Sequence, residues 1–192
     1  MNLTSSDEEL MLHIGNGDVK SYEILVKRHL HSSFRLVQRL IGQECEAEDI
    51  VQEAFMKVWQ RAKLWQPNAK FKTWFHQILV NRCIDWQRAQ TYRNASQFID
   101  KIDYSHEHSV EKTILEQEKQ YYLKVALQAL SEKEKAAIVL HYYQGFSQQE
   151  VGEILNISVS AVETMLYRTR LHLQKQLESL LSSTTRGYRE HR

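Results

Sequence analysis

GFSQQEVGEILNISVSAVETMLYRTR, residues 145–170, spells out two short helices and a tight turn. Ser147 followed three residues later by Glu150 is a capping box, in which each side chain satisfies a backbone N–H at a helix start. Val151, Ile154 and Leu155 mark one apolar face. Asn156 stands where a left-handed stop is wanted, since Asn tolerates that conformation better than most residues other than Gly. Ser158 can cap a second helix. Along it Val162, Leu166, Leu173 and Leu177 form one stripe, and Thr164, Tyr167, Arg168 and Lys175 another roughly opposite. An apolar stripe backed by a polar, basic one is what a helix lying in a DNA major groove requires. The same pattern also fits a solvated amphipathic hairpin.

Working outward, the chain reads as all-α: two small helical domains joined by a flexible linker, the second a four-helix domain containing the helix–turn–helix. The expected boundaries are 1–92, a linker at 93–110, a second domain at 111–181 and a tail at 182–192. Ser6 with Glu9 makes a capping box for a first helix ending near Gly15 and Gly17. Asp18 caps a long helix whose Val19, Tyr22, Leu25, Val26, Leu30, Phe34, Val37, Leu40 and Ile41 repeat at helical spacing until Gly42. A third helix runs from about Glu46, with Ile50, Val51, Ala54, Phe55, Val58, Trp59 and Ala62 inward; it stops before Pro67, which removes a donor. A fourth spans Phe71 to Arg88. Residues 91–109 show no period and many polar side chains. A helix near 110–130 and one opened by Ser131 and Glu134 complete the second domain, and the composition of SSTTRGYREHR (182–192) favours disorder.

One Pro and six Gly in 192 residues agree with an almost wholly helical chain. No basic-then-apolar N-terminal segment and no run long enough to span a membrane is visible, so a soluble cytoplasmic protein is expected. Cys45 and Cys83 lack metal-ligand spacing and are read as reduced thiols. The net charge of +1 hides an uneven distribution. Residues 44–53 hold Glu44, Glu46, Glu48, Asp49 and Glu53 and no base. Residues 57–93 carry a net +7, with Asp85 the lone acid, and residues 164–192 a net +4. Two basic regions separated by acidic ones suggest two contacts with a polyanion and a surface for a basic protein partner.

On the fourth helix Trp74, Gln77, Asn81, Asp85 and Arg88 fall on one stripe, while Phe71, Phe75, Ile78, Leu79 and Trp86 supply packing. Asn81 can donate and accept at a base edge. Lys70, Lys72, Arg82 and Arg88 can hold phosphates. Trp65, Phe71 and Trp74 offer flat faces for stacking an unpaired nucleotide, although each taken singly fits a core position better than a stacking platform.

EAEDIVQEAFMKVWQ (46–60), FKTWFHQILVNRCIDWQR (71–88) and LQALSEKEKAAIVLHYYQGFSQQEVGEILNISVSAVETMLYRTR (127–170) resemble bacterial RNA polymerase sigma factors of the small, two-domain extracytoplasmic-function group. The resemblance covers about residues 7–180, with the motifs in the family's order. It implies a first domain of sigma region 2, which binds core polymerase and the minus-ten element. The second domain would be sigma region 4, which binds the minus-thirty-five element. The acidic third helix would dock on the polymerase's largest subunit through Asp49, Gln52 and Glu53. The loop from Trp65 to Lys70, with Asn68, and Asn81 match the segment that captures a flipped base. Ser160, Glu163, Thr164, Tyr167 and Arg168 match the groove-facing positions of the duplex reader. Glu163 could accept from cytosine or cap the helix start with Ser160. An anti-sigma protein is the further partner implied. Glu163 and Met165 replace basic residues common in the family, and Gln66-Pro67 replaces an Arg-Gly pair, so promoter preference does not carry over.

Two other classes compete. A stand-alone helix–turn–helix regulator would need no acidic docking helix. An enzyme or metalloprotein is suggested only by His29/His31 and His106/His108; the first pair points to different sides of a helix, and the second has no nearby Cys. No nucleophile–base motif or Gly-rich phosphate loop is present, so no catalysis, metal or cofactor is expected.

Overall fold

The computed structural model describes residues 5–67, 70–96, 127 and 129–187. Among these the chain forms seven helices and no strand: α1 (Asp7–Gly15), α2 (Val19–Ile41), α3 (Glu44–Arg61), α4 (Phe71–Ser96), α5 (Glu132–Ile138), α6 (Gln148–Leu155) and α7 (Val159–Gly187). Their starts follow local chemistry. Capping boxes form at Ser6/Glu9, Ser131/Glu134 and Ser147/Glu150, and Asp18 accepts from the Lys20 N–H. Gly42 ends α2 at φ 77°, a left-handed position that only Gly takes without a Cβ penalty.

The first domain packs α1 to α4 around Leu10, Leu25, Leu36, Val37, Ala54, Val58, Phe71, Phe75 and Leu79, all buried. Phe75 stacks on Phe71 at 5.4 Å between centroids and meets Phe55 at 4.8 Å. Asp7 ties α1 to α2, accepting from Arg28 at 2.5 Å and lying 2.7 Å from His29 Nε2. Burial alone would raise the Asp7 carboxyl, but the His29 and Arg28 partners outweigh it and hold its pKa low.

In the second domain α5 widens into a π turn over Val139–Tyr143, where Gln144 N–H reaches back to the Val139 carbonyl. Gly145 follows at φ 71° and presents Phe146. Asn156 sits at φ 54°, ψ 51° and closes the turn between α6 and α7, as its sequence position indicated. Gly152 is required there: a Cβ would lie 2.9 Å from the Ile157 carbonyl oxygen. The two domains then share one continuous core, with α4 packed against both α5 and α6.

Three expectations are corrected. Val19, Leu30 and Trp59 face outward, at 55%, 48% and 39% exposure, because the apolar arcs of α2 and α3 are wider than the surface their neighbours cover. Trp59 instead meets Tyr22 edge-on at 5.2 Å. Helix α4 runs on to Ser96, into the stretch read as linker from 91 and from 93; no Gly or Pro interrupts it there. Helix α7 likewise runs to Gly187, into the segment expected to be disordered, and stops at the first Gly after Gly152. The remaining linker, 97–110, and the helix expected near 110–130, apart from residues 127, 129 and 130, lie outside the described residues.

Candidate nucleic-acid interface

Two helices present the candidate DNA-reading side chains. On α7, Val162, Leu166 and Thr169 are buried, and this inward stripe turns Ser160, Glu163, Thr164, Tyr167 and Arg168 outward. Ser158 caps α7: its hydroxyl accepts from the Ala161 N–H at 3.2 Å and lies 3.1 Å from the Ser160 hydroxyl. The cap is thus made by Ser158 and not by a Ser160–Glu163 box, which leaves the Glu163 carboxylate on the open face. Thr164 Oγ1 donates to the Ser160 carbonyl, fixing its rotamer. A groove of about 420 Å³ runs beside this face between Glu134 of α5 and Thr164 and Arg168 of α7.

On α4 the stripe Trp74, Gln77, Asn81, Asp85 and Arg88 is the face left open, since Thr73, Phe75, His76, Ile78, Leu79, Val80, Cys83 and Ile84 are all buried. Asn81 and Arg88 are exposed and border a polar cleft of about 470 Å³, whose far wall is Lys133, Leu155 and Asn156 of the second domain. Of the aromatics offered for stacking, Phe71 is wholly buried and belongs to the core, while Trp65 and Trp74 remain half-buried.

The basic residues divide differently from a simple phosphate row. Lys70 lies 3.3 Å from Glu150 of α6, and Lys72 sits 4.3 Å above the Phe146 ring. Arg82 points away from Asn81 and pairs with Glu53 of α3, so a candidate DNA contact and a candidate polymerase contact bridge two helices. Asn68 lies outside the described residues. On α3, Asp49 and Gln52 are exposed, Glu53 is half-exposed, and Met56 at 49% exposure extends the same face. The acidic strip is therefore open along one side of α3.

His76 was not singled out from the sequence. It is 1% exposed, its Nδ1 lies 2.8 Å from the Lys72 carbonyl, and its Nε2 has no hydrogen-bond partner among the described residues. Burial, with the Lys72 and His29 charges adding to it and the Lys72 carbonyl opposing, lowers its pKa to about 4. Cys83, further along the same side, is pushed up to about 12, chiefly by burial. Neither had a local signal: a lone His or Cys inside an apolar run is silent about what covers it. Among the described residues no cluster of His, Cys, Asp and Glu could hold a metal ion, and no helix is long and apolar enough to cross a membrane.

Comparisons with known proteins match this layout. Residues 25–93 match the Sigma-70 region 2 family and residues 121–173 the Sigma-70 region 4 family, together more than half of the chain. The RNA polymerase sigma-H factor of Pseudomonas aeruginosa is 24% identical over 184 residues, covering 91% of this chain and 95% of that protein. The ECF RNA polymerase sigma-E factor of Escherichia coli is 26% identical over 185 residues, covering 92% and 96%. Among solved structures, the fold is shared with the sigma factor RpoE in complex with the anti-sigma factor NepR from Bartonella quintana. That match has a TM-score of 0.67 and 24% identity, covering 83% of this chain and 98% of that one. CnrH in complex with the cytosolic domain of CnrY gives a TM-score of 0.66 at 23% identity, covering 91% and 99%. With region 2 on α2 to α4 and region 4 on the helix–turn–helix, in that order, the chain belongs to the bacterial RNA polymerase sigma factors of the extracytoplasmic-function group.

Proposed function

We propose that this sigma factor docks on core RNA polymerase through the open acidic side of α3, with Asp49, Gln52 and Glu53 as contacts. Region 4 then lays α7 in the major groove of the minus-thirty-five element, with Ser160, Glu163, Thr164, Tyr167 and Arg168 at the DNA. Region 2 traps unpaired bases of the minus-ten element on α4, using Asn81 with Asn68, Lys70, Lys72 and Arg88. Arg82 acts in this scheme by holding Glu53 as well as by its charge. No covalent step falls to the chain: capturing a flipped base offsets the few kcal/mol of unstacking. Polymerase supplies the chemistry. The protein acts in the cytoplasm, and an anti-sigma protein is its expected restraint, as relatives are found with such partners.

The observation that carries this reading is the pair of outward polar stripes, one on α4 and one on α7, each left open by a buried opposite face. A stand-alone regulator would explain the second stripe and leave the first, and the region 2 match, without a role. The test is run-off transcription with purified core polymerase on a pool of promoters, paired with gel shifts with and without core enzyme. Initiation at defined sites and a shift dependent on core enzyme are expected. An operator footprint by the chain alone, with no initiation at any template, would overturn the reading.

A further inference from the structure

Helix α4 is capped from a distance. Ser6, Asp18, Ser131, Ser147 and Ser158 each close the first turn of the helix they precede. Lys70 precedes α4 and its carbonyl accepts from the Trp74 N–H at 3.2 Å, but its ammonium is donor-only and cannot accept from the helix start. The Phe71 N–H is taken instead by Glu8 Oε1 of α1 at 2.9 Å, from 63 positions earlier in the chain. A carboxylate also suits the positive end of the helix dipole.

Helix α1 reaches the other flank of the same loop. Its Gly15 lies so close to the 3-10 turn Ala62–Leu64 that a Cβ there would stand 3.0 Å from the Ala62 carbonyl oxygen. That carbonyl also accepts from the Trp65 N–H at 3.2 Å. Helix α1 is itself held firmly, with Leu10 and Met11 wholly buried and Asp7 bound to Arg28 and His29. The His29 ring in turn lies 5.4 Å from that of Phe71. The first residue of α4 is thus held twice, through its backbone by Glu8 and through its ring by His29. The region 2 match begins at residue 25 and gives α1 no part.

We propose that α1 is a brace for minus-ten recognition, with Glu8 as its positioning residue: by capping α4 it holds Lys70 and Trp74 in fixed relation to Trp65 on the 3-10 turn. The proposal rests on the function given above and deepens it. Without Glu8 the first turn of α4 frays, and capture of an unpaired strand weakens by the fraction of chains no longer in the competent form.

The test uses full-length protein with core polymerase on a promoter recovered from the run-off pool. Strand opening is read by permanganate reactivity, and duplex binding by gel shift in the cold, before opening. Glu8→Gln keeps the reach of an acceptor oxygen and drops the charge; Glu8→Asp keeps the charge and is one methylene too short. Glu8→Ala and Glu8→Asp should each reduce opening about fivefold with duplex binding unchanged, and Glu8→Gln should stay near wild type. Glu8→Asp keeps an acid in the first turn of α1, so it decides the matter if Glu8→Ala loses helicity. Equal losses in both assays would reduce Glu8 to a structural role and overturn the brace. Wild-type opening by Glu8→Asp, or a defect in Glu8→Gln alone, would overturn it as well. No initiation by the wild type would refute the sigma-factor reading, and the brace with it.

Discussion

Helices α4 and α7 both offer a polar stripe to DNA, yet they are held in opposite ways. Helix α7 buries one narrow line, Val162, Leu166 and Thr169, with Met165 half-buried beside it, and leaves most of its first turns to solvent. Helix α4 is gripped on two sides: Phe71, Phe75 and Leu79 form the aromatic core of region 2, while His76 lies against Phe146 of region 4. The contrast suits the two tasks. A duplex groove is wide and needs a protruding helix. An unpaired base needs a fixed pocket edge, and a helix packed on two sides loses little further freedom when a nucleotide arrives.

That contrast can be broken at several strengths. Phe75→Ala removes a ring that meets those of His29, Phe55, Phe71 and His76 and should cost about 3–5 kcal/mol. Because all four tryptophans lie in region 2, urea unfolding followed by tryptophan fluorescence reads this loss directly. Leu166→Ala, by comparison, should move the circular-dichroism transition and leave the fluorescence transition near its wild-type midpoint. Equal shifts in both probes for Leu166→Ala would mean that the domains unfold as one unit.

The next effect is acidic. The folded state holds His76 at about 4, below its ordinary 6.5, so the unfolded chain binds the extra proton more readily. Stability from neutral His76 is therefore complete above pH 6.5 and is lost as pH falls toward 4, by on the order of 3 kcal/mol. Urea midpoints measured from pH 7 to 5 should fall, and His76→Gln should flatten that slope. Asp7 and Glu150, whose carboxyls are held low, lose their contributions only at lower pH. An unchanged slope in His76→Gln would exclude His76 as the source.

Smaller effects belong to α7. Ser158→Ala should cost about 1 kcal/mol, the usual value of a lost N-cap. Glu163→Gln should leave stability unchanged, because the cap is made by Ser158, and should alter sequence preference in a promoter-binding selection. A loss of stability in Glu163→Gln with no change in preference would return Glu163 to a structural role.

What the sequence made legible follows from how far apart the interacting residues are. The capping boxes at Ser6/Glu9, Ser131/Glu134 and Ser147/Glu150, and the left-handed Asn156, involve neighbours three or four residues apart, and all are present. The open stripe on α7 was equally legible, since a helix buried along one line shows it as a period. Helix α4 was only half legible. Its Phe71, Phe75 and Leu79 face stood out, but the burial of Thr73, His76 and Cys83 has no local signature. The pairing of Lys72 with Phe146, 74 positions away along the chain, was not foreseeable from either segment. Val19, Leu30 and Trp59 erred the other way: periodicity places an apolar residue on a face without saying how wide the covering neighbour is.

The division of labour between the two stripes is tested most directly by comparing Asn81→Ala and Arg168→Ala in the holoenzyme, on one promoter, in two assays. Duplex binding is read by gel shift over a salt series, and strand opening by permanganate reactivity of unpaired thymines. Arg168→Ala should weaken duplex binding at every salt concentration and lower the salt slope by about one. Asn81→Ala should leave duplex binding near wild type and reduce opening about tenfold or more, the loss expected for one base-edge contact of roughly 1–3 kcal/mol. Equal losses for Asn81→Ala in both assays, or an Arg168→Ala holoenzyme whose duplex binding and salt slope match wild type, would contradict the account.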